Sequence, residues 1–362
     1  MSPLAWDRRK DDQLPAGAGR AGTSTLAARV RPTARLSSPV RVLGLGAYVP
    51  AGVLSNADLE RMVDTSDEWI RTRTGIGERR VAGRGEATSD LAVQAARQAL
   101  ESAGMQPGDL ELILLATATP DSPVPATVCH VQRELGAERA TGFDLAAGCT
   151  GFVVAVMTAH SMVAAGSFRN ALVIGAEKMT SITDYGARET CVLLGDGAGA
   201  MLLAVGGEGP ELIDHLTGID GGGSELIQVV AGGSRCPASE QTVGRGEHYL
   251  AMRGREVYRF AVSKVPGLVR EILERNGLAP RDVDLIVPHQ ANLRILEAVA
   301  RELGLGLDRF AINIDRFGNT SSASIPIALE EAHRAGRIAR GDRVLLVAFG
   351  AGLTWGASLI AW

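Results

Sequence analysis

The chain has 362 residues, of which 46% are hydrophobic, 22% charged and 4% aromatic, with a formal net charge of −4. This size and apolar content suit one large or two ordinary globular domains. The acidic balance argues against a nucleic-acid partner, and no apolar run of about 18 residues offers a membrane span. We therefore expect a globular, cytoplasmic protein.

The first 38 residues differ in composition from the rest of the chain. Residues 1–38 are rich in Arg, Ala, Gly and Pro and show no sustained apolar period, so they cannot bury enough surface to order themselves. We predict a disordered or artefactual extension. An organelle transit peptide and a misplaced start codon stay open as alternatives. The fold is expected to start at Val40.

Apolar runs alternate with helical patterns along the first half, which we place at 39–210. Predicted strands are 40–47, 112–118, 141–146, 171–177 and 201–205, and predicted helices are 89–103, 127–135 and a segment after Cys149. This alternation indicates βαβ crossovers and a parallel sheet. The glycine run at 195–200 precedes a strand instead of opening a helix, so it does not fit the dinucleotide fingerprint.

The same order returns in a second half, which we place at 211–362. Predicted strands are 285–287, 311–314, 344–349 and 357–361, with loops at 288–292 and 318–324. The repeat indicates an internal duplication in which Asn319 occupies the turn that corresponds to Cys149.

Cys149 stands between an apolar strand and an apolar helix, flanked by Gly148 and Gly151. At the first turn of a helix, unpaired N–H groups and the helix dipole favour thiolate over thiol. The alternative is a structural buried cysteine, the common state of free cysteines. The other cysteines, at 129, 191 and 236, form no C-x-x-C pair and lie near no ligand-spaced histidine, so neither a disulfide framework nor a metal site is expected.

One histidine and one asparagine are candidates to act beside this thiol. His289 and Asn319 each lie in a Pro- or Gly-marked loop directly after an apolar strand. Sites of α/β proteins form at the carboxyl ends of strands. The remaining histidines lie in helical or variable segments, and we interpret them as surface or packing residues.

The segments DTSDEWIRTRTGI, DLAAGCTGF, LLGDGAGA, VPHQANLRI, FGNTSSASIP and AFGAGLTWG together resemble beta-ketoacyl-acyl carrier protein synthase III. The resemblance runs in order from about Val40 to Trp362. It implies an α/β thiolase-like fold, with two duplicated βαβαβαββ halves forming a five-layered α-β-α-β-α core, and a homodimer. It also implies that the chain is an acyltransferase that starts fatty-acid chains from an acyl-CoA and malonyl-acyl carrier protein, with no cofactor.

The resemblance assigns the chemistry residue by residue. It makes Cys149 the nucleophile that carries the acyl group, with His289 and Asn319 holding the enolate oxygen formed when the malonyl group loses CO2. The backbone N–H groups of Cys149 and Ala351 would meet the tetrahedral oxyanion. Ala351 stands where many relatives have Gly, a change that keeps the backbone donor.

Further residues carry over to substrate contacts. The resemblance assigns coenzyme A contacts to Thr65, Trp69, Arg73, Arg188, Gly254 and Asn292, and carrier-protein contacts to Arg259, Gln290, Arg294 and Arg301. Trp69 and Arg188 match a pair that sandwiches the adenine, although the segment around Arg188 departs from the usual Asp-Arg order. Val124 stands where some relatives place a Phe that gates the acyl pocket across the dimer, so a smaller side chain here is expected to admit longer or branched primers.

Related chemistries remain as alternatives. A thiolase needs a second cysteine in the C-terminal glycine loop, where Gly350, Ala351 and Gly352 stand, and elongating condensing enzymes use a second histidine where this chain has Asn319. Chalcone-synthase-like enzymes share Cys, His and Asn. The priming ketosynthase of a polyketide pathway is the main alternative. A hypothesis from a different class is that the chain is a non-catalytic acyl-binding relative.

Overall fold

The computed structural model describes residues 39–362, so the predicted extension over residues 1–38 lies outside the described residues. The first half contains β1 (Val40–Tyr48), β2 (Gly52–Ser55), α1 (Asn56–Leu59), α2 (Asp67–Thr74), β3 (Glu78–Val81), α3 (Thr88–Ala103), β4 (Leu112–Ala116), α4 (Thr127–Leu135), β5 (Thr141–Leu145), α5 (Gly151–Ala164), β6 (Asn170–Lys178), α6 (Arg188–Cys191) and β7 (Asp196–Val205).

The second half repeats this plan. It contains β8 (Glu211–Ile219), β9 (Ile227–Val229), α7 (Glu240–Gly244), β10 (Leu250–Met252), α8 (Gly254–Arg275), β11 (Leu285–Pro288), α9 (Leu293–Leu303), α10 (Ile314–Phe317), α11 (Ser324–Arg334), β12 (Arg343–Gly350) and β13 (Thr354–Ala361).

Nine strands are hydrogen-bonded in the order β11-β12-β13-β8-β1-β7-β6-β4-β5. The halves adjoin through a single registered pair, Arg41 of β1 with Glu211 of β8. Within each half the order and the strand directions match, with β4, β6, β7 and β1 corresponding to β11, β12, β13 and β8. The duplication expected from the sequence is therefore present in the strand order.

Two strand predictions need correction. The sheet is mixed, not parallel, because β6 with β7 and β12 with β13 pair antiparallel. Only three residues separate β12 from β13, too few for the crossover that parallel strands require. The predicted strand at 311–314 is reduced to one bridge between Phe310 and Ile286, because the chain turns into α10 at Ile314.

The helices and the two halves of the nine-stranded sheet form five layers. Helices α3 and α4 cover the outer face of the first half of the sheet, α8 and α9 cover the outer face of the second half, and α5 and α11 pack between the two halves. Phe152, Val153 and Val156 of α5 are fully buried. Burying each such side chain contributes about 1.5–3 kcal/mol, which explains why α5 is apolar on most faces.

The glycine run at 195–200 lies inside a strand apart from Gly195, since β7 begins at Asp196 and not at 201 as the sequence pattern predicts. A Cβ at Gly199 would lie 2.6 Å from the Pro326 Cβ, and one at Gly195 would lie 2.3 Å from the Phe317 carbonyl oxygen. The glycines thus let α11 and the loop before Asn319 approach β7 closely. Across residues 39–362, no helix has both the length and the apolar character needed to cross a bilayer.

Candidate active site

Cys149 lies where the sequence places it, between β5 and α5. Gly148 adopts φ +52° and opens a 3-10 turn, Gly148–Thr150, and α5 begins at the next residue. The Thr150 hydroxyl donates to the Ala147 carbonyl at 2.7 Å and closes the turn. The thiol therefore stands directly before the N-terminal end of a central helix.

Two opposing effects act on the protonation of Cys149, which is half-buried on the cavity wall. Burial raises the pKa of the thiol to about 11; a hydrogen bond from the Ser321 side chain opposes this, and the buried Glu177 carboxylate adds to it. Desolvation of the charged form thus acts against the predicted preference for thiolate at the helix terminus.

His289 follows the last residue of β11 and is 1% exposed. Its backbone N–H donates to the Val347 carbonyl of β12 at 2.8 Å, and its ring Nδ1 lies 2.8 Å from the Ser324 Oγ. The ring also meets the edge of Phe349, with centroids 5.5 Å apart. Burial lowers the pKa of His289 to about 3, so the imidazole is neutral at physiological pH.

Asn319 is held by the first half of the chain. Its backbone N–H donates to the Leu193 carbonyl at 2.8 Å, and its carbonyl accepts from the Gly195 N–H at 3.0 Å. The side-chain Oδ1 accepts from the Ser321 N–H at 2.8 Å, which leaves the amide Nδ2 as the donor available to a ligand. Ser321 makes this bond in a left-handed conformation, φ +48°, a backbone strain typical of functional sites.

These three side chains line one cavity of about 860 Å³. Six of the residues expected to contact substrate or carrier line it as well: Trp69, Arg73, Gly254, Arg259, Asn292 and Arg294. The thiol comes from the first half, while the imidazole and the carboxamide come from the second. The structure thus gathers a neutral thiol, a neutral imidazole and an amide donor at one cavity.

The loop of Gly350 and Ala351 lies against the thiol. A Cβ at Gly350 would lie 2.8 Å from the Cys149 Cβ, and one at Gly148 would lie 3.3 Å from the Ala351 Cβ. Glycine at both positions lets the two turns touch. This contact is consistent with the prediction that the N–H groups of Cys149 and Ala351 face a common oxyanion.

The expected adenine pair is assembled beside the cavity. The Arg188 guanidinium lies 4.9 Å from the Trp69 ring centroid, and its Nη1 donates to the Asp64 carbonyl at 2.9 Å. Arg188 and Thr65 do not line the cavity themselves. The Thr65 hydroxyl oxygen is buried without a hydrogen-bond partner.

Two residues expected along the pantetheine arm lie on the cavity wall. A Cβ at Gly254 would meet no protein atom closer than the Met252 Cε at 4.0 Å, so protein packing alone does not demand glycine there. The Asn292 amide is already engaged, since Nδ2 donates to the Arg73 carbonyl and Oδ1 accepts from the Arg294 N–H.

The residues expected to meet a carrier protein divide into two groups. Arg259 and Arg294 are exposed at the cavity, and Arg301 is exposed but lies outside its lining. Gln290 is 0% exposed, and its Nε2 donates to the Pro288 and Ala311 carbonyls. Its predicted carrier contact is therefore wrong, because its side chain is buried and already hydrogen-bonded.

Val124, the residue expected to gate the acyl pocket, is 84% exposed and lies outside the cavity of its own chain.

Four site residues escaped the sequence analysis: Glu177, Ser321, Ser324 and Phe349. Glu177 is fully buried and accepts from the Thr119 hydroxyl at 2.7 Å and from the Ser322 hydroxyl at 2.8 Å, and burial raises its pKa. It thereby ties the first-half sheet to the turn after Asn319. Position in the loop after Asn319 was the only available signal for the two serines.

Within residues 39–362, no cluster of His, Cys, Asp or Glu is arranged to hold a metal ion.

Comparison with known proteins gives a consistent result. Models of 3-oxoacyl-[acyl-carrier-protein (ACP)] synthase III match residues 143–221 and, for the C-terminal part, residues 273–362. The beta-ketoacyl-[acyl-carrier-protein] synthase III of Caldanaerobacter subterraneus is 50% identical over 321 residues, 89% of this chain and 97% of that protein.

Solved structures agree in fold. The 3-oxoacyl-[acyl-carrier-protein] synthase III of Aquifex aeolicus is 43% identical, with a TM-score of 0.82 over 89% of this chain and 100% of that one. The priming beta-ketosynthase of a polyketide biosynthetic pathway is 36% identical, with a TM-score of 0.83 over 91% and 98%. The chain belongs to the beta-ketoacyl-[acyl-carrier-protein] synthase III family of condensing, acyl-transferring enzymes.

Proposed function

We propose that Cys149 accepts the acyl group of an acyl-CoA primer. The sulfur bonds to the thioester carbon, the bond to the coenzyme A sulfur breaks, and the thiol proton leaves on coenzyme A. The N–H groups of Cys149 and Ala351 hold the oxyanion formed in between. Removing one donor of this kind costs about 10²–10³ in rate.

The second substrate is malonyl-acyl carrier protein, which loses CO2 at the same cavity. His289 Nε2 and Asn319 Nδ2 donate to the thioester oxygen as it becomes an enolate oxygen. Both donors are neutral, so they stabilise the charge without quenching the carbanion. The carbanion then attacks the carbonyl carbon of the acyl group, and the bond from that carbon to the Cys149 sulfur breaks. The 3-oxoacyl carrier protein is released, and the sulfur takes up a proton from solvent to restore the thiol.

The observation that carries this proposal is that Cys149, His289 and Asn319 line one cavity although they lie far apart along the chain. The orientation of the Asn319 amide and the neutral state of His289 fit the donor roles. No cofactor is needed for these steps, because the thioester supplies the leaving group and decarboxylation supplies the carbanion.

Mass spectrometry of the Cys149 peptide after incubation with mixed acyl-CoAs tests the nucleophile and reports the primer. Cys149→Ala should abolish condensation. His289→Ala and Asn319→Ala should still form acyl-Cys149 but release CO2 from malonyl carrier protein about 10²–10³ more slowly. Condensation by Cys149→Ala, or unchanged CO2 release by His289→Ala, would contradict the assigned roles.

The cavity mouth supplies sites for both substrates. We infer that Trp69 and Arg188 separate to take the adenine between them, because an aromatic ring and a guanidinium both stack well on a base. Arg73 lines the same cavity and would bind a phosphate of coenzyme A, and Gly254 leaves room for the pantetheine arm. Arg259 and Arg294 present positive charge to an acidic carrier protein.

The homodimer and the acyl gate are linked proposals. Strand β5 pairs only with β4, and Phe143 on its free edge is 41% exposed. Proteins rarely leave such an edge uncovered, which supports pairing with a second copy there. Val124, exposed on one chain, would then reach the partner's acyl pocket, where its small side chain admits longer or branched primers.

Two further proposals concern location and domain organisation. We propose that the chain works in the cytoplasm and that residues 39–210 and 211–362 are its two duplicated domains. The polyketide-priming alternative shares the same site chemistry, but the 50% identity to a curated synthase III favours fatty-acid initiation. Comparing acetyl-CoA, isobutyryl-CoA and decanoyl-CoA as primers tests the Val124 proposal, and strict preference for acetyl-CoA would contradict it.

A further inference from the structure

The hydroxyl of Ser324 is the hydrogen-bond partner of the His289 ring. Its Oγ lies 2.8 Å from His289 Nδ1, 2.9 Å from the Ser321 carbonyl oxygen and 3.3 Å from the Gln290 backbone nitrogen. All four residues are buried, with at most 2% exposure. Their hydrogen bonds must therefore be satisfied within the protein.

The protons in this cluster can be counted. The Gln290 N–H only donates, the Ser321 carbonyl only accepts, and the Ser324 hydroxyl has one proton to give. That proton can go to Ser321 or to His289 Nδ1, and the Ser321 backbone is itself a hydrogen-bond partner of the His289 side chain, a contact that raises the pKa of the imidazole against the larger lowering by burial. The Ser321 carbonyl already accepts the backbone N–H of Ser324. It therefore stays hydrogen-bonded when the hydroxyl turns to the imidazole.

We propose that Ser324 is a positioning residue whose hydroxyl donates to His289 Nδ1 and so keeps the ring proton on Nε2. A neutral imidazole carries one N–H, and a proton on Nδ1 would present a lone pair to the cavity. A lone pair at Nε2 repels a developing enolate oxygen, whereas an N–H stabilises it. This inference rests on the proposed function, in which His289 is that donor.

Removing the hydroxyl should invert the tautomer. In Ser324→Ala, the Ser321 backbone remains as a hydrogen-bond partner of the His289 side chain, and a carbonyl can only accept. The ring proton then moves to Nδ1, and CO2 release from malonyl carrier protein falls about 10²–10³-fold. Formation of acyl-Cys149 is unchanged, because that step does not use the His289 donor. Ser324→Thr keeps a hydroxyl and should restore CO2 release.

The tautomer is read directly by nitrogen NMR of histidine-labelled full-length protein, with the His289 signals identified by their loss in His289→Ala. We expect the proton on Nε2 in the unmodified protein and on Nδ1 in Ser324→Ala. A proton on Nδ1 in the unmodified protein overturns the inference, and this measurement decides the matter even if Ser324→Ala fails to fold.

Two half-reaction assays separate the inference from the proposed function. If His289→Ala still releases CO2 at the normal rate, the proposed role of His289 fails. If His289→Ala loses CO2 release but folded Ser324→Ala keeps it, only the role of Ser324 is overturned. If Ser324→Ala loses acylation and decarboxylation equally, the residue acts as general support, which also overturns the inference.

Discussion

Alkylation of Cys149 by iodoacetamide should accelerate with pH across a range in which an ordinary thiol levels off. Burial raises the pKa of this thiol to about 11, whereas an unperturbed cysteine has a pKa of about 8.5. Only the thiolate reacts. A raised pKa keeps the thiol protonated until the pH approaches that value, so the rate should rise about tenfold with each pH unit below it.

The expected magnitude follows from the two pKa values. For Cys149, the thiolate fraction grows from about one in ten thousand at pH 7 to about one in ten at pH 10, a rise of about a thousandfold. For an ordinary thiol, the same change of pH raises the fraction only about thirtyfold. The two cases differ enough to be separated by timed alkylation.

The assay is quenched alkylation followed by mass spectrometry of the Cys149 peptide, with N-acetylcysteine as the reference thiol and near-ultraviolet circular dichroism to verify folding at each pH. Ser321→Ala should react more slowly than the unmodified protein at a fixed pH, because the Ser321 hydrogen bond lowers the pKa of Cys149. A rate that levels off by pH 8 would refute the reasoning and show that the helix terminus outweighs burial.

Three further predictions concern packing, substrate contact and assembly. Gly350→Ala should lower the condensation rate about 100-fold in a folded protein. The Cβ added at position 350 would lie only 2.8 Å from the Cys149 Cβ and would therefore displace the nucleophile. An unchanged rate would contradict the close approach of residue 350 to Cys149. Trp69→Ala should raise the KM for acyl-CoA about tenfold while acyl-Cys149 still forms at saturation, and an unchanged KM would argue against adenine stacking with Arg188. Phe143→Lys should dissociate the proposed homodimer into monomers in sedimentation at micromolar concentration; an unmodified protein that sediments as a monomer would contradict the dimer, and a variant that stays dimeric would contradict pairing through β5.

Much of the site could be predicted from local sequence. The turn at Cys149 depends on Gly148 and on the apolar strand and helix beside it, and these are local properties. The loop of His289 follows the apolar strand β11, so its place at a strand end was also predictable, whereas Asn319 follows the short helix α10 and not a strand. The repeated order of strands and helices predicts that Asn319 and Cys149 occupy corresponding turns; in the structure, the 3-10 turn before α5, Gly148–Thr150, is matched by Ser321–Ala323 before α11, directly after Thr320.

Other features were decided by contacts between distant segments. The pKa of Cys149 depends on how deeply the thiol is buried and on Glu177, neither of which a local pattern encodes. Gln290 follows His289 in a loop that reads as exposed, yet its amide is hydrogen-bonded to Pro288 and Ala311. Ser324 gains its partner only when the loop of His289 and the start of α11 meet. The sequence therefore determined which residues carry the chemistry, while tertiary packing determined their protonation and hydrogen bonds, because these depend on neighbours from remote parts of the chain.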